Sequence, residues 1–252
     1  MKHYGIIGFP LAHSFSPSYF NKKFVAENIV CAYNAFPLDS IAQLPDLINS
    51  NPDLCGLNVT IPYKTKVIPY LDFISIDAQK INAVNCIKIE NGKLFGFNTD
   101  QFGFAESLKP LLVKDMSAAL VLGTGGSSKA VCYALEQLNL NFKLVSASGK
   151  GAFSYDELSE EIIQNHLLIV NTSPVGMYPN MGDSPEIPYH FLNENHLLYD
   201  LIYNPEETLF LKNGKKQNAQ IKNGKEMLLL QADKSWEIWN DKNICKETIP
   251  LK

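Results

Sequence analysis

The sequence contains no arginine; its 22 basic residues are all lysine. An anion bound by this chain must therefore be held by lysine, by hydroxyls or by backbone N–H groups, and a planar guanidinium fork is excluded. Basic charge is also in deficit, with a net charge of −4. No positive field is available to hold nucleic acid or an anionic membrane surface, which argues against both partners. No apolar run approaches the roughly 20 residues that span a bilayer. The start, Met1-Lys2-His3-Tyr4-Gly5, leads into a short strand-like run and lacks the apolar core and cleavage site of a signal peptide. Cysteine is sparse and odd in number: Cys31, Cys55, Cys86, Cys132 and Cys245 show no C-x-x-C and no zinc spacing. They read as reduced thiols of a cytoplasmic protein. The five histidines are dispersed without an H-E-x-x-H, so no metal is expected.

What is present is ordinary globular material: 46% apolar and 19% charged over 252 residues, enough for one large domain or two modest ones. Strand and helix signals alternate. Strands are expected at His3–Gly8, Cys31–Phe36, Leu54–Val59, Ala83–Ile89 and Lys93–Phe97, the last two joined at Asn91-Gly92, a hairpin signal. Helices are expected from Pro17 to about Asn28, over Ser40–Ile48, and as short pieces at Lys64–Tyr70 and Asp77–Ile81, with another from Gln101 to about Leu112. After a polar break at residues 114–117 a second series begins. Its strands are Ala118–Leu122, Phe142–Val145, Leu167–Val170 and Leu197–Leu201, and its helices Ala130–Leu138, Tyr155–Gln164, Glu206–Leu211 and Gly224 to about Asn240. The fold class is α/β in two units, with the boundary near residues 101–117.

Three stretches carry chemistry. Strand, then Gly123-x-Gly125-Gly126-Ser127-Ser128, then helix is the dinucleotide-binding arrangement. Gly123 permits the tight turn, Gly125 lets a pyrophosphate approach the backbone, Ser128 is small enough for helix–strand packing, and the helix N-terminus favours phosphate. No G-K-[ST] follows, so this is not a P-loop; an ordinary tight turn is the bland alternative. The next strand ends Ser146-Ala147-Ser148-Gly149-Lys150, without the acid that would accept from a ribose 2′-OH. Two hydroxyls and Lys150 suit a 2′-phosphate, although Lys150 reads equally well as a solvated loop lysine.

Near the start, Ser14 and Ser16 lie in a strand-to-helix loop. Ser16 is placed to N-cap the helix with Pro17 at its first position; capping leaves Ser14 unexplained. Hydroxyls at a helix start also suit a carboxylate ligand. Finally, Asn58-Val59-Thr60-Ile61-Pro62-Tyr63-Lys64 and Asn98-Thr99-Asp100 each end a strand in polar groups, where α/β sheets bind ligands. Lys64 and Asp100 would form a proton-transfer pair if the fold unites them, and solvated charges if it does not.

At these residues the sequence resembles the shikimate dehydrogenase (shikimate 5-dehydrogenase) family along nearly its whole length. G-x-P-x-x-H-S-x-S-P matches Gly8 to Pro17, G-x-N-V-T-x-P-x-K matches Gly56 to Lys64, and A-V-N matches Ala83 to Asn85. N-T-D-x-x-G matches Asn98 to Gly103, and the nucleotide turn is Gly123 to Gly126. N-x-[ST]-P-x-G-M matches Asn171 to Met177, Y-D-x-x-Y-x-P-x-x-T matches Tyr199 to Thr208, and G-x-x-M-L-x-x-Q-A matches Gly224 to Ala232.

The resemblance implies reversible NADPH-dependent reduction of 3-dehydroshikimate to shikimate in aromatic amino-acid biosynthesis. Lys64 and Asp100 would be the catalytic pair. Ser14 and Ser16, with Tyr203, would hold the substrate carboxylate, and Thr60, Asn85 and Gln231 its ring hydroxyls. Asn58 is read as structural. The cofactor NADP(H) would be held by Gly123, Gly125, Gly126, Ser127, Ser146, Ser148 and Lys150, with Met177, Gly224 and Met227 along the nicotinamide; plain core is the alternative for the methionines. The family's design implies an α/β substrate domain over 1–101, joined by the C-terminal helix 226–252, and a Rossmann-like doubly wound nucleotide domain over 102–225. The substrate would be the small-molecule partner of a monomer or homodimer. Departures are Phe20 for His, Asn82 and Cys86 for Gly and Thr, and above all Ala147, where the family commonly places an arginine on the 2′-phosphate. NADP use with weakened discrimination against NAD follows. Rival readings are a quinate/shikimate dehydrogenase with relaxed cofactor use, a folate-linked dehydrogenase of similar two-domain design, and a non-enzymatic nucleotide-binding regulator.

Overall fold

The computed structural model describes residues 1–12 and 14–251. The chain forms two compact units, Met1–Thr99 with Ala232–Lys252, and Asp100–Gln231.

The first unit is built on β1 (Lys2–Gly8), α1 (Phe15–Ala26), β2 (Cys31–Pro37), α2 (Leu44–Asn49), β3 (Leu54–Val59), β4 (Phe73–Ser75), α3 (Ile76–Ile81), β5 (Cys86–Glu90) and β6 (Lys93–Phe97). It is completed by the C-terminal part of α8 (Lys225–Asn240) and by β12 (Thr248–Pro250). Its mixed sheet has the order β12-β4-β6-β5-β3-β1-β2. Side chains alternate across it: Tyr4 and Ile6 of β1 join one apolar cluster with Phe20, Tyr33 and Trp239, while Ile7 joins another with Leu57, Val59 and Ile87. The hairpin between β5 and β6 turns at Asn91-Gly92 with both φ values positive, 51° and 72°, as a type I′ turn requires. Trp239 of α8 donates its indole N–H to the Ile87 carbonyl at 2.9 Å, and a Cβ at position 56 would collide with that indole, so Gly56 is what lets the helix lie against β3.

The second unit runs through α4 (Asp100–Leu108), β7 (Ala118–Leu122), α5 (Gly126–Gln137), β8 (Asn141–Val145), α6 (Glu160–Gln164), β9 (Leu168–Asn171), β10 (Leu197–Asp200), α7 (Leu209–Lys216) and β11 (Gln220–Lys222), ending in the first residues of α8. All five strands are parallel, in the order β11-β10-β9-β7-β8. The continuous apolar runs of β7, β9 and β10 are what a sheet covered on both faces demands. From β7 the chain goes one way to β8, then returns to β9 on the other side. That reversal is the topological switch point of a doubly wound sheet, outside whose carboxyl ends ligands bind.

Several local expectations are corrected. Helix α1 begins at Phe15 with Ser14 in the N-cap position, extended at φ −66°, ψ 130°. Ser16 and Pro17 thus lie inside the first turn, and Ser16, expected to cap, is buried instead. Residues 64–70 form no α-helix, only turns and a short 3₁₀ segment at Ile68–Tyr70. The carbonyl that would close the first helical turn, that of Lys64, accepts instead from the Val84 N–H at 2.7 Å, and the Ile68 N–H is diverted to Thr65. Strand β5 starts at Cys86, because Ala83–Asn85 is spent on such cross-links. Helix α5 starts at Gly126, not Ala130, so the glycine–serine segment is itself the first helical turn. The span 155–164 is a 3₁₀ turn followed by α6, which Ser159 caps, and α7 starts three residues late, after its cap Thr208. The three-residue strands β4, β11 and β12 were not anticipated.

Candidate active site

In the first unit the polar residues gather at one end of the sheet. The loop after β1 lies on the loop after β3: the Phe9 N–H donates to Ile61 and the Thr60 N–H to Ile7, at 3.0 and 2.9 Å. The segment entering antiparallel β5 arrives at the same end. The Val59 N–H donates to the Asn85 carbonyl at 2.8 Å, and the Val84 N–H to Lys64. Thr60, Lys64 and Asn85 are thereby drawn together from separate strands. Thr60, Lys64 and Ser14 are half-buried, whereas Asn85 is buried.

Behind them runs a buried network. The Tyr33 hydroxyl donates to Asn58 Oδ1 at 2.7 Å; Asn58 Nδ2 donates to Ser235 Oγ at 3.0 Å and to the Asn85 carbonyl at 3.2 Å. Asn85 Nδ2 donates to Thr99 Oγ1 at 2.9 Å and its Oδ1 accepts from the Thr99 N–H at 2.6 Å, while Thr99 Oγ1 meets Ser235 Oγ at 3.2 Å. Burial pushes the Tyr33 hydroxyl well above its ordinary pKa, and a hydrogen bond from Ser16 offsets part of that. Ser16 and Asn85 are therefore the two ends of one chain of polar contacts through Tyr33 and Asn58. Tyr33 and Ser235 escape sequence reasoning, since a buried strand tyrosine reads as core and a serine in a helix carries no signal; Thr99 was visible as part of the polar strand end, and Asn58, taken as structural, is the centre of this network.

In the second unit the carboxyl ends of β8, β7, β9 and β10 carry most of the remaining residues, and α4 and α8 carry Asp100, Met227 and Gln231. At β7, Gly123 has φ +111°, and a Cβ there would come to 2.9 Å from Thr172 Oγ1, so glycine is required twice over. Gly125 is the N-cap of α5 and has no side chain to occupy the turn; Gly126 and Ser127 open the helix. Ser128 is 2% exposed and donates its hydroxyl to the Gly123 carbonyl at 2.8 Å, closing turn onto helix. The first N–H groups of α5 carry no side-chain cap, and a Cβ at Gly125 would meet nothing within 4 Å, an arrangement suited to phosphate oxygens. At β8, Ser146 and Ser148 share a 2.9 Å hydroxyl contact, Gly149 turns the chain at φ +69°, and Lys150 is exposed.

At β9, Asn171 organises the loop to Met177. Its Oδ1 accepts from the Ser173 N–H and Oγ at 3.0 and 2.7 Å, and its Nδ2 donates to Asp200 Oδ1 at 3.1 Å. Met177 is 42% exposed. Met227 is 7% exposed and packs in the core with Phe104 and Tyr199. Gly224 donates its N–H to Ile202 at 3.1 Å, and any Cβ there would strike the Leu201 carbonyl. Tyr203 is half-buried, which raises its hydroxyl pKa. Gln231 is buried and ties its Nε2 to the Leu228 carbonyl at 2.9 Å. Asp100 is buried at the first turn of α4, where helix N–H groups favour a negative charge. Burial raises the Asp200 carboxyl to about 6, against the donors Thr208, Ile202 and Asn171. The neighbouring titratable group is Tyr189, pushed up to about 12, chiefly by burial.

Among the described residues no group of three or more His, Cys, Asp or Glu is arranged to hold a metal ion, and no helix is long and apolar enough to cross a membrane.

These features agree with what the chain resembles. Residues 6–87 match the family model of the shikimate dehydrogenase substrate binding domain. A shikimate dehydrogenase (NADP(+)) of Clostridium beijerinckii is 43% identical over 96% of this chain and 93% of its own. One of Methanococcus aeolicus is 38% identical over 97% and 95%. The solved shikimate 5-dehydrogenase of Thermus thermophilus, in complex with NADP(H) and shikimate, superposes with a TM-score of 0.85 at 29% identity, covering 98% of this chain and 97% of that one. With identity of this order along nearly the whole length, the chain belongs to the shikimate dehydrogenase family.

Proposed function

We propose that the protein catalyses the reversible NADPH-dependent reduction of 3-dehydroshikimate to shikimate. The carrying observation is the convergence of Thr60, Lys64 and Asn85 at one sheet end, braced by the network that reaches Ser16. In this reading the Ser14 and Ser16 hydroxyls, with Tyr203, hold the substrate carboxylate, as a chain without arginine requires. Thr60, Asn85 and Gln231 take the ring hydroxyls, and such a site strongly rejects analogues that would strand its polar groups. The Lys64 ammonium delivers a proton to the carbonyl oxygen during reduction; neutral Lys64 takes it back during oxidation. Asp100 accepts from the reacting hydroxyl and supports the lysine charge.

The second unit fits NADP(H), which supplies the hydride. Gly123, Gly125, Gly126 and Ser127 offer backbone N–H groups and room to the pyrophosphate; the Cβ-intolerant turn supports this. Ser146, Ser148 and Lys150 face the ribose end, and Met177, Gly224 and Met227 the nicotinamide end. Of the last three, Met177 has surface to offer and Met227 acts from the core. Residues 1–101 with 226–252 serve chiefly the substrate and 102–225 chiefly the nucleotide, with Tyr203 and Met227 as the exceptions. The chain works as a cytoplasmic monomer or homodimer whose ligands are the substrate and NADP(H). Loss of NADPH absorbance with 3-dehydroshikimate as the only added substrate tests the proposal; an unchanged trace refutes it. Running NADH in parallel, a clear NADH preference would overturn the cofactor assignment.

A further inference from the structure

The reaction has no use so far for Asp200, although it is fully buried and accepts three hydrogen bonds. Its Oδ1 takes the Asn171 amide at 3.1 Å and the Ile202 N–H at 3.0 Å; its Oδ2 takes the Thr208 hydroxyl at 2.6 Å. Each donor governs a different segment. Asn171 folds the loop 171–177 through Ser173, and its Nδ2 also reaches the Val175 carbonyl at 3.4 Å. Ile202 holds the Gly224 N–H through its own carbonyl. Thr208 caps α7, accepting from the Leu211 N–H at 3.4 Å, and lies 3.8 Å from where a Cβ of Gly176 would be. Gly176 has φ +92°, so the loop passes close to this anchor in a conformation only glycine adopts readily. One carboxylate thus ties the loop after β9 to the loop after β10 and to the start of α8.

A buried carboxylate is costly unless its acceptors are filled, and an apolar residue with no partners to satisfy would serve packing better. Retaining one here makes sense if its value is to fix the geometry of what it holds. What it holds are the loop that ends at Met177 and, through Ile202, the backbone at Gly224.

We propose that Asp200 is a positioning residue: by locking loops 171–177 and 201–208 into a single arrangement it shapes the seat of the nicotinamide end of NADP(H). This rests on the functional reading above.

The test uses the full chain and three variants, Asp200→Asn, Thr208→Val and Thr208→Ser. Asp200→Asn places an amide against donors. Thr208→Val removes one donor and leaves two. Thr208→Ser keeps both the hydroxyl and the cap. Calorimetry gives the NADP+ affinity, steady-state kinetics give KM and kcat, and thermal unfolding reports the folded fraction. Asp200→Asn is expected to weaken NADP+ binding and raise KM for NADPH about ten-fold, with a smaller effect in Thr208→Val and none in Thr208→Ser. KM for 3-dehydroshikimate rises less than KM for NADPH, because Tyr203 is the one substrate group of the proposed site that lies in these loops. A purely structural Asp200 would lower Tm and the active fraction but leave the affinity of the folded enzyme unchanged, and that result overturns the proposal. If Asp200→Asn does not fold, Thr208→Val against Thr208→Ser decides on the same readout. Should the wild type bind NADP+ without reducing 3-dehydroshikimate, the functional reading fails while the NADP+ affinities still decide the role of Asp200; no NADP+ binding by the wild type overturns both.

Discussion

The two units solve recognition by different means. The first presents side chains in the proposed reading: Ser16, Thr60, Lys64 and Asn85 come from loops and strand ends, a network of Tyr33, Asn58, Thr99 and Ser235 braces Ser16 and Asn85, and backbone hydrogen bonds hold the segments of Thr60 and Lys64. The second presents backbone: a glycine that tolerates no Cβ, a helix start without side-chain capping, and loops tied down by Asn171 and Asp200. A small ring acid with several hydroxyls is distinguished by directional partners, which must be braced. Pyrophosphate is common to all dinucleotides and needs only N–H groups and room. In the proposed reading the first unit uses its buried polar groups to brace side chains that meet the ligand, and the second uses Asn171 and Asp200 to hold loops around a glycine turn.

The hardest test of this contrast is Lys64→Ala. It is expected to lower kcat by roughly 10²–10⁴-fold, the range of a lost acid–base group, with NADP+ affinity unchanged by calorimetry. Asp100→Asn is expected to act in the same direction; unchanged turnover would remove it from the pair. If Lys64→Ala also weakens NADP+ binding, the division of labour is wrong.

A second test is pH dependence. The Asp200 carboxyl is raised from its ordinary range to about 6, so it favours the folded state when protonated. That contribution is complete below its unfolded value near 4 and is lost as pH rises through about 6. Urea unfolding should show the wild type losing up to about 3 kcal/mol relative to Asp200→Asn between pH 4 and 7. Parallel pH profiles for the two would refute this. Gly123→Ala comes next. The positive φ and the contact with Thr172 should cost roughly 1–3 kcal/mol, read as a rise in KM for NADPH with KM for 3-dehydroshikimate unchanged. The smallest effect sharpens the comparison: Ala147→Arg adds a side chain where the second unit has only hydroxyls and Lys150. It should improve the kcat/KM ratio of NADPH over NADH by about ten-fold, equivalent to about 1.4 kcal/mol from a charge-assisted contact.

Legibility in the sequence also divides along this line. Strands β3, β6 and β7 were readable to the residue, because each is an apolar run closed by turn residues. The glycine turn was readable because its constraint is steric and local. The 64–70 segment was not: its helical spacing is real, but the carbonyl of Lys64 is claimed by Val84, a partner twenty residues away. The misplaced cap at Ser16 has the same origin, since the hydroxyl is turned inward to Tyr33 of β2. Of the residues singled out, those with a steric or ionic signature were visible. Asn58 was legible as structural, but supporting residues such as Asp200 and Ser235 were not, because their importance lies in whom they touch.

The link between the Lys64 carbonyl and Val84 has a further consequence. It anchors the root of the lysine to the segment that carries Asn85, so the four-methylene arm swings from a point fixed relative to Asn85. In the proposed mechanism, proton delivery and substrate grip would then share one mechanical reference. A proline at position 84 would cut that tether without altering a single group that meets the ligand.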